Sequence, residues 1–182
     1  MLAMFSLALL CAAEEPTFAW EPLEIKDSAF SRDIVMLDAE RDEYATNLAN
    51  HAANTIATNG ASIDSLKQGR RILALALHLS LRNKKAIVTQ FQLATGIVPE
   101  KSDGDYSPEV FARLLLTRGQ LLLQQEEGEN RMLARYLIQL AAEIEPRNED
   151  AVYASEMIRL DHGAPNWTLI TDPRNKKKDE LP

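Results

Sequence analysis

The side chains of this chain that could do chemistry are three histidines, an Asp-Gly-Asp stretch, two runs of carboxylates and one basic group. His51, His78 and His162 are the natural general bases or metal ligands, yet no two of them stand at ligand spacing. His78 lies inside an apolar run, where the expected state is a hydrogen-bonded core histidine. Asp103-Gly104-Asp105 has the first two ligand positions of a calcium loop. Pro108 stands where such a loop needs glycine, and Leu114 stands where it needs its closing glutamate, so the stretch reads as a solvated loop. The runs QQEEGE (124–129) and EIEPRNED (143–150) hold enough carboxylates for a glycosidase-like acid pair, but no spacing selects one. There is no phosphate-binding glycine loop and no Gly-x-Ser-x-Gly elbow. No catalytic residue, metal or cofactor is therefore assigned. The basic group Arg70, Arg71, Arg82, Lys84 and Lys85 brackets one apolar helix. It serves either as solvated helix ends or as a dock for an acidic segment.

Those residues must be positioned by a chain of 182 residues, enough for one domain with a core. Its net charge of −7 is unevenly placed. Residues 14–43 carry ten acids and three bases, and the remainder from 44 to 182 is balanced at seventeen of each. A neutral body excludes a general nucleic-acid binder, which needs a basic excess. Residues 1–13 carry no charged side chain and are too short an apolar run to span a bilayer as a helix, so no transmembrane span is expected. They read as a secretory signal cut after Ala13, with the small residues Cys11 and Ala13 at the −3 and −1 positions. This points to an exported protein of the periplasm or cell envelope. Cys11 also suggests lipidation, but Leu10 occupies the place where that motif needs a small residue.

Residues 14–37 form an acidic, irregular segment interrupted by Pro16 and Pro22. From Asp38 the pattern turns helical. Acids in the first turn and Gly60 past the end frame a helix over 38–58. Ser62 or Asp64 caps the next, which runs on to Leu81 and whose residues Ile72, Leu73, Leu75, Leu77, Leu79 and Leu81 cover most of its circumference. A third ends near Gly96. Ser107, Pro108 and Glu109 start a fourth. Leu133, Tyr136, Leu137, Leu140, Ala141 and Ile144 make one apolar stripe that Pro146 ends, and a sixth helix is closed by Gly163 and Pro165. The helical domain runs over 38–163, followed by a tail over 164–182.

Sliding the chain by 47 residues sets Asn83 on Asn130, Leu93 on Leu140, Ala94 on Ala141 and Pro99 on Pro146. The repeated unit is a helical hairpin. Ala134, Ala141 and Pro146 hold the spacing of the second helix of a tetratricopeptide repeat, and Ile87, Ala94 and Pro99 hold it with one substitution. Residues 66–163 thus resemble the tetratricopeptide repeat family. The resemblance implies an all-α fold, antiparallel helical hairpins in a short array.

In that family the first helices line a concave face that grips peptides. The matching positions are Gly69, Ile72, Ala76 and Leu79, then Leu116, Gly119, Leu123 and Glu126. They include no Lys, Arg or Asn, so a clamp for a C-terminal carboxylate is not expected. The expected binding surface is an apolar groove of Ile72, Ala76, Leu79, Leu116 and Leu123. It is filled by helix 38–58, by the sixth helix, or by a protein or peptide partner, for which an amphipathic helix is the natural shape. The function this implies is a non-catalytic interaction or scaffold module of the cell envelope. The alternative is an enzyme or sugar-binding protein with a carboxylate-lined cleft between helices.

Overall fold

The computed structural model describes residues 18–125 and 128–172. Among them are seven helices and no strand: α1 (Asp38–Thr58), α2 (Ile63–Leu79), α3 (Lys84–Ala94), α4 (Pro108–Leu123), α5 (Gly128–Ile144), α6 (Glu149–His162) and α7 (Thr168–Thr171). The fold is all-α, as the sequence implies. Short polar side chains set the starts. Ser62, Asn83, Ser107 and Asn148 each accept a backbone N–H from the first turn of the helix that follows. Pro108 occupies the first turn of α4, where its missing N–H costs nothing. Gly60 takes φ +59° after α1, letting the chain reverse into α2 within four residues.

Two antiparallel hairpins, α1–α2 and α4–α5, form the body. Both close by the same device. A Cβ added to Gly69 of α2 would run into the side chain of Ile56 in α1. One added to Gly119 of α4 would lie 2.5 Å from Ile138 Cγ1 and 3.1 Å from the Ala134 carbonyl in α5. Each glycine thus lets a facing isoleucine reach the neighbouring backbone. The hairpins meet where Tyr44 of α1 packs on Phe111 of α4 and donates to the Leu114 carbonyl at 3.3 Å. An ion pair between Arg71 of α2 and Glu143 of α5 joins them again. On the outside, α3 packs on α1 and α2, and α6 packs on α5 and α4.

The two halves are not equivalent in the way the 47-residue repeat implies. That repeat makes α3 the lengthwise partner of α2, as α5 is of α4. Instead α2 pairs with α1. The reason lies on α2 itself: the stripe of Gly69, Ile72 and Ala76 is already turned to α1 by the Gly69–Ile56 contact, which leaves α3 to cross beside it. Ala94 is consequently exposed, whereas Ala141 is fully buried.

Residues 18–37 contain no helix but belong to the core. Leu23, Phe30, Ile34 and Met36 are buried. The segment runs as a strap over both hairpins, held mostly through its backbone. Gln90 of α3 donates to the Leu23 carbonyl at 2.8 Å, Arg41 of α1 to the Ser31 carbonyl at 3.2 Å, and Arg118 of α4 to the Val35 carbonyl at 3.3 Å. The Val35 N–H donates to Asn130 Oδ1 of α5 at 3.1 Å.

Candidate functional site

The chain itself covers the expected groove. Ile72 and Ala76 are fully buried, Leu79 and Leu116 nearly so, and Leu123 is half-buried. Helix α1 lies on the Gly69–Ile72–Ala76 face of α2, and the strap and α1 close the end near Leu79, whose carbonyl accepts from Arg41 Nε at 3.0 Å. Gly119 faces α5 rather than open space. Glu126, the last of the expected groove positions, lies outside the described residues. Ile72, Ala76 and Leu79 belong to the core of the α1–α2 hairpin and Leu116 to that of α4–α5, with Leu123 at its edge, so the two sets do not form one accessible channel. The expectation of a free face fails on α2 because α1 lies against it, through the Gly69–Ile56 contact and the Arg41–Leu79 bond.

His78 is buried and bonded at both ring nitrogens. The Ala29 N–H donates to Nδ1 at 3.0 Å, so the proton sits on Nε2 and is donated to the Ile170 carbonyl at 2.9 Å. The His78 carbonyl in turn accepts from the Ser28 hydroxyl at 2.6 Å. One residue in the last turn of α2 therefore clasps the strap on one side and α7 on the other. The basic group divides. Arg70 holds the Glu21 carbonyl at 2.9 Å and Asp172 at 3.0 Å, tying the strap and the end of α7 to α2. Arg71 instead pairs with Glu143 while stacking on Trp167, 5.0 Å from the ring centre.

Two clefts join residues that the sequence marks, His51, Asp103 and Arg71, to asparagines and tryptophans that it does not. The first, about 290 Å³, lies between α1 and the loop before α4 and is lined by Asn47, Asn50, His51 and Asn54. Those four are one face of α1, at i, i+3, i+4 and i+7. Asn54 grips the Ser102 backbone twice, donating to its carbonyl at 2.8 Å and accepting from its N–H at 3.0 Å, while Asn50 accepts from the Ser102 hydroxyl at 3.1 Å. The asparagines thus staple the loop down, and burial beside them lowers the His51 pKa. Asp103 and Gly104 line the far wall of this cleft, and Asp105 does not. The second cleft, about 320 Å³, brings Trp20 of the strap and Trp167 together with Leu66, Lys67 and Arg71. The signal for it was present only as two tryptophans far apart in sequence.

Apart from Leu37 before α1, Val35 of the strap, Ile63 of α2 and Leu121 of α4, the large apolar side chains left exposed in lines lie on the outermost helices. On α6, Tyr153 is 69% exposed and Leu160 68%, with Met157 between them; i, i+4 and i+7 place all three in one line. On α3, Phe91 is 66% exposed, with Ile87 and Val88 one turn before it and Ile97 and Val98 just beyond the helix. No described helix is long and apolar enough to cross a membrane, and the described residues contain no cluster that could hold a metal ion.

Comparison of the chain with protein-family models, curated proteins and solved structures gives no significant match in any of the three.

Proposed function

We propose that the protein is a non-catalytic interaction module, exported to the cell envelope, which holds a protein partner on the outer face of its last hairpin rather than in a central groove. The observation that carries this reading is the line of Tyr153, Met157 and Leu160 on α6, large apolar side chains left in water while the interior of the same domain is closed. Contiguous apolar surface on a folded domain marks a place where something binds. The spacing of the line suits a partner helix laid alongside α6. A tetratricopeptide-like ancestry for α4–α5 is in keeping with the reading: Gly119 nests against Ala134 and Ile138, and Pro146 follows the end of α5.

The test is affinity capture from an envelope extract with the intact protein and with Leu160→Asp side by side, then reconstitution of any selectively lost partner with both purified proteins. The expected result is a partner that binds the intact protein directly and binds the variant at least roughly tenfold more weakly, as loss of a buried anchor predicts. Equal capture by both proteins would remove α6 as the functional face.

A further inference from the structure

The exposed apolar faces of α3 and α6 are two, and they differ in charge. The segment from Arg82 to the end of α3 holds Arg82, Lys84 and Lys85 and no acid, so +3. Helix α6 holds Glu149, Asp150, Glu156 and Asp161 against Arg159, so −3 with His162 neutral. These charges share faces with the apolar residues. Lys84, Ile87, Val88 and Phe91 fall at i, i+3, i+4 and i+7 on α3; Glu149, Tyr153, Glu156 and Leu160 fall at i, i+4, i+7 and i+11 on α6. The two helices sit on the outsides of different hairpins, one packed on α1–α2 and the other on α4–α5.

We propose that the occupant of the α6 face is the α3 face of a second copy of this chain, giving a head-to-tail assembly in which apolar lines meet and basic meets acidic. This deepens the interaction reading above by naming the partner. The contact is heterologous: each copy offers one face of each kind, so growth does not stop at a dimer unless the rotation closes a ring. Each face carries only a few large apolar side chains, fewer than an interface of ~800 Å² per partner uses, so association is weak and rises with concentration.

Sedimentation equilibrium of the full chain over a concentration series tests this. The weight-average mass should climb beyond a dimer, and added salt should lower it by screening the charges. Phe91→Asp and Leu160→Asp should each weaken self-association by roughly tenfold or more. Their equimolar mixture should form a one-to-one dimer and nothing larger, because each variant keeps the face the other lacks. Should either variant fold poorly, the exposed charges give a second route: Glu149→Lys should weaken assembly and Glu149→Lys with Lys84→Glu should restore it. A monomer at every concentration overturns the proposal, as does a mixture that stays monomeric. In that event a hydrophobic dye separates the other occupants. Dye-silent faces would mean that the terminal segments of this chain cover them. Dye-binding faces would mean that they receive a different protein, and the interaction reading would survive the loss of the self-assembly.

Discussion

Helix α2 buries eleven of its seventeen residues; α6 buries Ala151 and no other of its fourteen. Both are amphipathic stretches next to a hairpin partner, and the difference comes from what else the chain lays on them. Around α2 stand α1, α3, α7 and the strap. Beside α6 stands the α4–α5 hairpin, on one side. A strongly apolar circumference therefore marks the helix that several segments share, and a thin apolar line on an otherwise polar helix marks the one left over. A binding surface is better sought on the second kind.

The largest effect that tests this contrast is on α2. Ile72→Ala should cost ~2–5 kcal/mol, because a fully buried side chain is removed and the packed surroundings relax only in part. Denaturant unfolding measures it. A loss well under ~1 kcal/mol would mean that Ile72 faces space that a partner could enter, and α2 and α6 would change places in the comparison.

How this contrast reads from sequence depends on range. The all-α class, the span of α1, the caps at Ser62 and Ser107 and the stop after Ile144 are local matters of propensity and capping, and they were legible. The pairing of α2 was not. Whether Ile72 meets α1 or open solvent is decided by Gly69 and Ile56, thirteen positions apart and in different helices. The strap was less legible still. Leu23, Phe30, Ile34 and Met36 have no period, so they read as irregular, and their burial rests on backbone bonds to side chains from four helices. Of the candidate site, Ile72, Ala76, Leu79 and Leu116 are legible as an apolar set that helix 38–58, the sixth helix or a partner could cover; that α1 lies on the α2 residues depends on the distant Gly69–Ile56 contact. The α6 line is not legible in the sequence, because three large side chains on a polar helix have the pattern of an ordinary packed face.

A smaller effect sharpens the account of why α2 is enclosed. His78→Phe keeps a ring of similar size but leaves the Ala29 N–H and the Ile170 carbonyl without their partner, which should cost ~1–3 kcal/mol. Hydrogen exchange should locate the loss, with the Ala29 amide exchanging faster while the centre of α5 stays protected. An unchanged Ala29 amide would mean that the strap is held without the clasp.

The two alanines that the 47-residue repeat equates give an internal control of similar or lesser size. Ala141→Leu should destabilise by ~1–3 kcal/mol through overpacking at a fully buried position. Ala94→Leu, at an exposed position, should stay within about 0.5 kcal/mol. Thermal unfolding of both variants checks this. Equal costs would restore the equivalence of α3 and α5 that their surroundings deny.

Weaker again is a pH effect on the polar face of α1. Burial holds the His51 pKa below its usual 6.5, so in the folded protein it binds its proton only at lower pH than in the unfolded chain. As pH falls below ~6.5 the unfolded state takes up that proton first, and unfolding is favoured. The contribution is intact above ~6.5 and is lost progressively below it. His51→Gln should flatten the acid limb of the stability profile without changing its slope near pH 8. An acid limb identical in both proteins would assign the pH dependence to other groups.

The smallest expected change is on α6 itself and completes the contrast with Ile72. Leu160 is mostly in water in the isolated protein, so its side chain has little apolar burial to lose. Leu160→Asp should therefore shift unfolding stability by no more than about 0.5 kcal/mol. The substitution adds a negative charge near Glu156 and Asp161, and cations are the favoured charge in the last turn of a helix, so the small change should be towards lower stability and should shrink in salt. Measured in dilute solution, where copies do not meet, this number separates two meanings of an exposed leucine. A near-zero cost together with weakened association means that the residue is kept for a contact outside its own fold. A cost of ~2 kcal/mol or more in the dilute monomer would mean that Leu160 is core in solution, and the line on α6 would then be one more face that this chain covers for itself.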